Sequence, residues 1–85
     1  MDSKRQIESL IETGWDVIRT DVDPRPFNAW RQRALDCLSG LLGNDHAYTR
    51  YFSTRILRAN ETDLLAGLGV LTAASLALQW RGYLG

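Results

Sequence analysis

Apolar residues recur every three or four positions along most of the chain, the spacing that places side chains on one face of a helix. The first such stripe contains Ile7, Leu10, Ile11, Gly14, Val17 and Ile18. The missing side chain of Gly14 would let another helix approach this stripe closely. No segment alternates apolar and polar residues with the period of two that marks a half-buried strand. The pattern therefore predicts an all-α fold.

Interruptions of this pattern divide the chain into four predicted helices. They span about residues 3–20, 26–42, 45–59 and 62–81. The connections between them are short, and short connections favour antiparallel neighbours. A chain of 85 residues forms one domain at most. We therefore expect a single domain, residues 1–85, folded as a compact four-helix up-down bundle.

The residues between the stripes indicate where the helices begin and end. Pro26 suits the first position of the second helix, because its fixed φ is helical and its missing N–H needs no partner there. Gly43 is placed to end that helix in the left-handed conformation. Asn44 or Asp45 is expected to cap the third helix and Thr62 the fourth, since their side-chain oxygens can accept from free backbone N–H groups.

The fourth predicted helix carries no charged residue from residue 64 to residue 80. Its expected core stripe is Leu64, Leu68, Leu71 and Leu78, with Leu65 and Leu76 on one flank. A surface helix normally carries charges on the side opposite its core stripe. Here that side carries Ala66, Val70, Ala73, Ala77 and Trp80. These five residues are called the predicted seam below.

Three explanations of this uncharged side remain open. Alanine is a strong helix former and is tolerated at a surface. A membrane span is the second, although the uncharged run has the minimum usable length and polar residues dilute its leucines. The third is contact with another helix, because small side chains let two backbones approach closely. We expect the third, with the seam covered by a second copy in a homodimer, by a downstream domain or by a partner protein.

The chain lacks the groups that most enzymes use. It contains one histidine, His46, and one cysteine, Cys37. We expect His46 to be a solvated residue and Cys37 to be a small buried hydrophobe. The sequence contains no Gly-rich phosphate loop and no metal-ligand spacing of Cys or His. It therefore predicts a protein without enzymatic activity, cofactor or metal.

Arginines in and beside the apolar stripes are the remaining candidates. We expect Arg55 to pack its aliphatic stem and leave its guanidinium in water. For Arg31 this arrangement and a buried ion pair with a carboxylate both remain open. Arg50, Arg55 and Arg58 make the third helix basic next to Tyr51, a composition that nucleic-acid contacts use. RNA or DNA binding through these three arginines is the alternative function.

The charge balance argues against strongly anionic partners. Ten basic residues match ten acidic ones, so the formal net charge at pH 7 is zero. A neutral protein has no long-range attraction to nucleic acids or anionic membranes. Residues 1–6 lack the apolar stretch of a signal peptide, and a lone thiol is typical of a reducing compartment. We expect a cytoplasmic protein.

Apolar and glycine positions between residues 27 and 84 also form a pattern. It consists of Phe27-x-x-Trp30, Leu38, Leu42-Gly43, Asp45-His46-x-Tyr48-x-x-x-Phe52, Gly67-Leu68-x-Val70-Leu71 and Gly82-Tyr83-Leu84. This pattern resembles a small helical module found at the N-terminal side of diverse bacterial proteins, including defence-type proteins with a separate effector domain. The resemblance implies an accessory or scaffolding role, with catalysis elsewhere in longer relatives.

The chain departs from that module in its fourth helix, whose outer side would be charged in the module. The departure again indicates a covered face. The function expected from the sequence is therefore non-catalytic interaction or oligomerisation through the fourth helix, as an N-terminal accessory domain of a longer protein.

Overall fold

The computed structural model describes the backbone of residues 3–84 and the side chains of residues 4–78. Over the described backbone it contains four helices and no strand. The helices are α1 (Ser3–Arg19), α2 (Pro24–Leu42), α3 (Ala47–Arg55) and α4 (Glu61–Leu84). Both α1 and α3 pack against α2 and against α4. The predicted all-α four-helix bundle is confirmed.

Trp30 of α2 occupies the centre of the core. Its side chain is buried, and its ring lies 6.0 Å from the ring of Phe27 and 5.7 Å from that of Phe52, measured between centroids. The indole Nε1 donates a hydrogen bond to the backbone carbonyl of Leu10 at 2.7 Å. A buried indole N–H needs such an acceptor, and here the backbone of α1 provides it.

Two glycines make room for this indole. A Cβ atom on Gly14 of α1 would lie 2.5 Å from Leu68 Cδ2 and 3.1 Å from Trp30 Nε1. A Cβ atom on Gly67 of α4 would lie 2.8 Å from Trp30 Cη2. The close approach predicted at Gly14 is therefore confirmed, and α4 uses a second glycine in the same way.

The N-terminus of α3 lies two residues later than predicted. The helix begins at Ala47 rather than near residue 45, and its cap is His46 instead of Asn44 or Asp45. Nδ1 of His46 accepts a hydrogen bond from the backbone N–H of Tyr48 at 3.1 Å. The two rings lie 5.0 Å apart between centroids, which holds the imidazole in place for this role.

The C-terminus of α3 lies four residues earlier than predicted, at Arg55 instead of residue 59. The guanidinium of Arg31 donates to the carbonyls of Ser53 and Ile56, with Nη2 3.2 Å from the Ser53 oxygen. The carboxylate of Asp63 accepts from the next two backbone N–H groups, those of residues 57 and 58, at 3.1 and 2.8 Å. These two N–H groups are thus unavailable for further helical bonds, and α3 ends.

Helix α4 begins at Glu61, and its first turn is capped by Asn60 rather than by Thr62. Oδ1 of Asn60 accepts from the backbone N–H of Asp63 at 2.8 Å. At its other end α4 continues to Leu84, beyond the predicted end at residue 81. Side-chain hydrogen bonds consequently fix both ends of the connection between α3 and α4.

The start of α2 lies two residues before the predicted one, at Pro24. Asp23 caps it, because its Oδ1 accepts from the N–H of Arg25 at 3.0 Å. The preceding residues, Asp21 and Val22, have φ angles of 62° and 55°, the left-handed region that a valine rarely adopts. Burial of the Val22 side chain in the core accompanies this turn. Gly43 ends α2 as predicted and has a positive φ of 93°, but its ψ of 157° differs from that of the predicted left-handed helical conformation.

Candidate functional site

Helix α4 exposes a stripe without charges. Its core side is formed by the buried Leu64, Leu68 and Leu71, as predicted. Its exposed residues between 65 and 78 are Leu65, Gly69, Thr72 and Leu76, which we call the outer stripe. The side chains of Leu65 and Leu76 are 42% and 52% exposed. The spacing of four, three and four residues places this stripe along one side of the helix.

The predicted seam lies beside the outer stripe and is half-buried. Ala66, Val70, Ala73 and Ala77 all have intermediate exposure, and Ala66 and Val70 pack against the core. The side chain of Trp80 lies outside the described residues. Ala66, Val70 and Ala73 line a groove shared with the chain's own α3, and the freely exposed side of α4 is centred on the predicted flank of Leu65 and Leu76.

Helices α3 and α4 form a shallow apolar groove of about 400 Å³. Its lining consists of Ala47, Tyr48, Tyr51, Ala66, Gly69, Val70 and Ala73. We call this the α3–α4 groove. Three residues of the predicted seam contribute to it, and Gly69 belongs both to the groove and to the outer stripe. Tyr51, on its α3 wall, is 46% exposed.

Gly69 has no packing role among the residues that the structure describes. A Cβ atom there would meet no atom within 4 Å, unlike the Cβ atoms considered at Gly14 and Gly67. A glycine inside a helix costs about 1 kcal/mol relative to alanine. The contacts within the molecule do not explain this cost at Gly69. Gly40 in α2 is equally open and provides a matched reference position.

The three arginines of the nucleic-acid hypothesis are all exposed. Among the described side chains none of them has a carboxylate within ion-pair distance. Arg55 follows Tyr51 by four residues and so continues the α3 wall of the groove by one helical turn. Residues 46–60 contain Arg50, Arg55 and Arg58 and no acidic residue, so the α3 side of the groove is positively charged.

Arg31 has neither of the two arrangements considered from the sequence. Its guanidinium is partly buried and binds the backbone carbonyls at the end of α3, and among the described side chains no carboxylate lies within ion-pair distance of it. A cation at that end also interacts favourably with the helix dipole. Arg31 therefore fixes α3 against α2, and its role is structural. Backbone acceptors do not appear in a pattern of side chains, which is why sequence analysis did not find this contact.

Cys37 and His46 have structural positions. Cys37 is buried, as predicted, and burial raises the pKa of its thiol, which keeps the thiol protonated and unreactive. His46 is half-buried as the α3 cap rather than freely solvated. Within the part of the chain that the structure describes, no group of three His, Cys, Asp or Glu residues is placed to hold a metal ion.

Residues 61–78 of α4 are long and apolar enough to cross a membrane by length and composition alone. In the structure, however, their main leucines form one wall of the bundle core. Two acidic residues, Glu61 and Asp63, stand in the first turn of the same segment. Packing against the other three helices thus accounts for part of its apolar composition, since 39% of the segment is buried.

Comparison of the chain with protein-family models, curated proteins and solved structures finds no match. The resemblance to bacterial N-terminal accessory modules stays a prediction. The features of the molecule that bear on function are consequently the outer stripe, the α3–α4 groove and the charges around them.

Proposed function

We propose that this chain is a non-catalytic oligomerisation module, whose copies associate through the outer stripe of α4 and the adjoining α3–α4 groove. The observation that carries the proposal is an exposed helix side without charges, on which Leu65 and Leu76 flank Gly69. Exposed apolar patches of this kind are typical of protein interaction sites. The location that we propose is the cytoplasm, in a longer protein or as a separate subunit.

The energetics require both surfaces. Burying the exposed halves of Leu65 and Leu76 contributes about 1 kcal/mol each. Association costs at least about 4 kcal/mol in lost translational and rotational freedom. The outer stripe alone therefore does not offset this cost. The groove beside it adds Tyr51 and a floor of small residues that allow close approach, so a stable complex has to bury both surfaces.

A pair of glycine variants tests the proposal. Gly69→Lys and Gly40→Lys both place a long charged side chain at an open helical position, so their effects on helix stability match. Sedimentation velocity over a concentration series is expected to show self-association of the wild type and of Gly40→Lys, and its loss in Gly69→Lys. A wild type that remains monomeric at millimolar concentration, or equal association of both variants, contradicts the proposal.

Arg50, Arg55 and Arg58 are exposed and form no ion pair with a described carboxylate, which favours one second candidate, nucleic-acid binding. Binding through phosphate contacts weakens steeply with salt. A salt-dependent mobility shift with RNA or single-stranded DNA that disappears in Arg50→Glu/Arg58→Glu is the expected result for this candidate. No shift at low salt eliminates it.

A further inference from the structure

The α3–α4 groove has the shape and charge to receive an acidic helix with an exposed aromatic residue. We propose that its occupant is the outer side of α1 from a second copy of this chain, so that the copies associate head to tail. This inference rests on the proposed function, since it identifies what the groove binds.

The groove combines an apolar floor with a positive wall. Its floor on α4 is made of small residues, including Gly69 and Ala73, over which another helix can pass closely. Its α3 wall presents Tyr51 and, beyond it, Arg55. Residues 46–60 contain no acidic residue, so Arg50 and Arg55 have no carboxylate on α3 with which to form an ion pair. Charge complementarity therefore calls for an occupant that is apolar at its centre and acidic along its side.

Helix α1 has that composition on its outer side. Residues 6–18 contain Glu8, Glu12 and Asp16 and no basic residue. These acids are four residues apart, so they form a row about 12 Å long. Trp15 lies three residues after Glu12 and seven after Glu8, hence on the same side of the helix. Its indole is 49% exposed, a large apolar surface without a full covering inside the molecule.

The position of Trp15 is set by the packing of α1. Thr13, Asp16 and Val17 line a surface pocket together with α2 residues that include Ala29 and Arg33. Trp15 does not line this pocket and lies on the flank of α1 away from it, next to Glu8 and Glu12. The ion pairs that Glu8 makes with Lys4 (3.9 Å) and Asp16 with Arg19 (3.6 Å) are exposed, and pairs of this kind hold charges only weakly. The acidic side chains are therefore available to a stronger positive surface.

Charge also decides between a head-to-tail contact and a symmetric one. If two α4 helices paired antiparallel across a two-fold axis, the α3 helices of the two copies would face each other and bring Arg50 and Arg55 near their equivalents. The outer side of α1, in contrast, would place Glu8 and Glu12 near Arg50 and Arg55. In the described structure α1 and α3 contact α4 but not each other, so the two surfaces are on different sides of one molecule. Such an arrangement joins copies into open chains or rings.

Reversed charges on each surface test the inference. Glu8→Lys/Glu12→Lys reverses two charges of the acidic row on α1 and is called the α1-reversed variant. Arg50→Glu/Arg55→Glu reverses two charges beside the groove and is called the groove-reversed variant. All four side chains are exposed, so both variants should fold. Each alone is expected to self-associate about tenfold more weakly than the wild type in sedimentation velocity. An equimolar mixture is expected to regain association, because every contact between the two variants then joins opposite charges.

A further variant controls for net charge. Arg25→Glu/Arg33→Glu changes two exposed arginines of α2 and has the same net charge as the groove-reversed variant. It is expected to associate like the wild type. The mass of the wild type is also expected to rise past twice 9.6 kDa with concentration instead of levelling off at a dimer.

The possible failures are distinguishable. If Gly69→Lys loses association while the α1-reversed variant keeps it, or if the mass levels off at a dimer, the head-to-tail contact is overturned and the oligomerisation proposal stands. If the wild type stays monomeric, both are overturned. If the α1-reversed variant self-associates like the wild type, and the groove-reversed variant loses RNA or DNA binding, then the arginines bind nucleic acid. This result also overturns the inference.

Discussion

The indole Nε1 of Trp30 donates a hydrogen bond to the backbone carbonyl of Leu10, 2.7 Å away in the middle of α1. In an α-helix that carbonyl also faces the N–H of the residue four positions later, here Gly14. A carbonyl oxygen has two lone pairs and can accept both bonds. Because Gly14 has no side chain to cover it, a side chain of α2 reaches the backbone of α1.

Gly14→Ala is expected to lower the free energy of unfolding by about 1–3 kcal/mol, because the new methyl group displaces the indole and the side chain of Leu68. Alanine favours the helix by about 1 kcal/mol, so the net loss measures the close approach. Gly40→Ala, at an open helical position, is the control and is expected to gain about 0.5–1 kcal/mol. Urea denaturation monitored by circular dichroism measures both. A stabilised Gly14→Ala would contradict this account of the core.

Arg31→Met is expected to cost about 1–3 kcal/mol, because the carbonyls of Ser53 and Ile56 lose a charged donor while the aliphatic stem is kept. Arg33→Met, two residues away and exposed on the same helix, is expected to change stability by less than about 0.5 kcal/mol. The same denaturation experiment compares them. Equal effects would mean that the guanidinium does not hold α3.

Asp21→Gly is expected to raise the free energy of unfolding by about 0.5–1 kcal/mol. Asp21 is exposed and has a φ of 62°, a conformation that glycine adopts without the steric cost of a side chain. Asp21→Ala removes the same carboxylate but keeps a Cβ atom, so no gain is expected from it. A gain of equal size in both variants would assign the effect to charge instead of backbone conformation.

Cys37 is expected to react slowly with a thiol-specific reagent in the native state. Burial raises the pKa of its thiol, so at the same pH a smaller fraction of the thiol is ionised in the native chain than in the unfolded chain. The reaction rate at pH 8 should rise to that of an unhindered cysteine when denaturant is added. The stability provided by the protonated thiol is present at neutral pH and declines as the pH rises into the alkaline range. Fast labelling of the native protein would show that Cys37 is accessible.

The features that depend on spacing within one helix were predictable from the sequence. The core leucines of α4, the burial of Cys37 and the close approach at Gly14 follow from helical periodicity and side-chain size. They are properties of single segments, and the fold confirms them.

The features that were not predictable from the sequence depend on contacts between segments. The ends of α3 are set by Arg31 and Asp63, whose acceptors and donors are backbone groups of a distant or neighbouring segment. The exposed side of α4 also differs from the prediction, because it lies on the flank of Leu65 and Leu76 instead of on the predicted seam. A helix that is apolar all round does not indicate from its own sequence where a neighbour such as α3 will pack. Val70 therefore faces the groove, and Leu76 faces outward.

The central claim, that the outer stripe of α4 is a contact surface between copies, is tested most directly by amide chemical shifts in a dilution series of the ¹⁵N-labelled wild type. The account predicts concentration-dependent shifts at Gly69, Thr72 and Leu76, with the amide of Gly40 unchanged. A spectrum that is identical at all concentrations up to the millimolar range would contradict it.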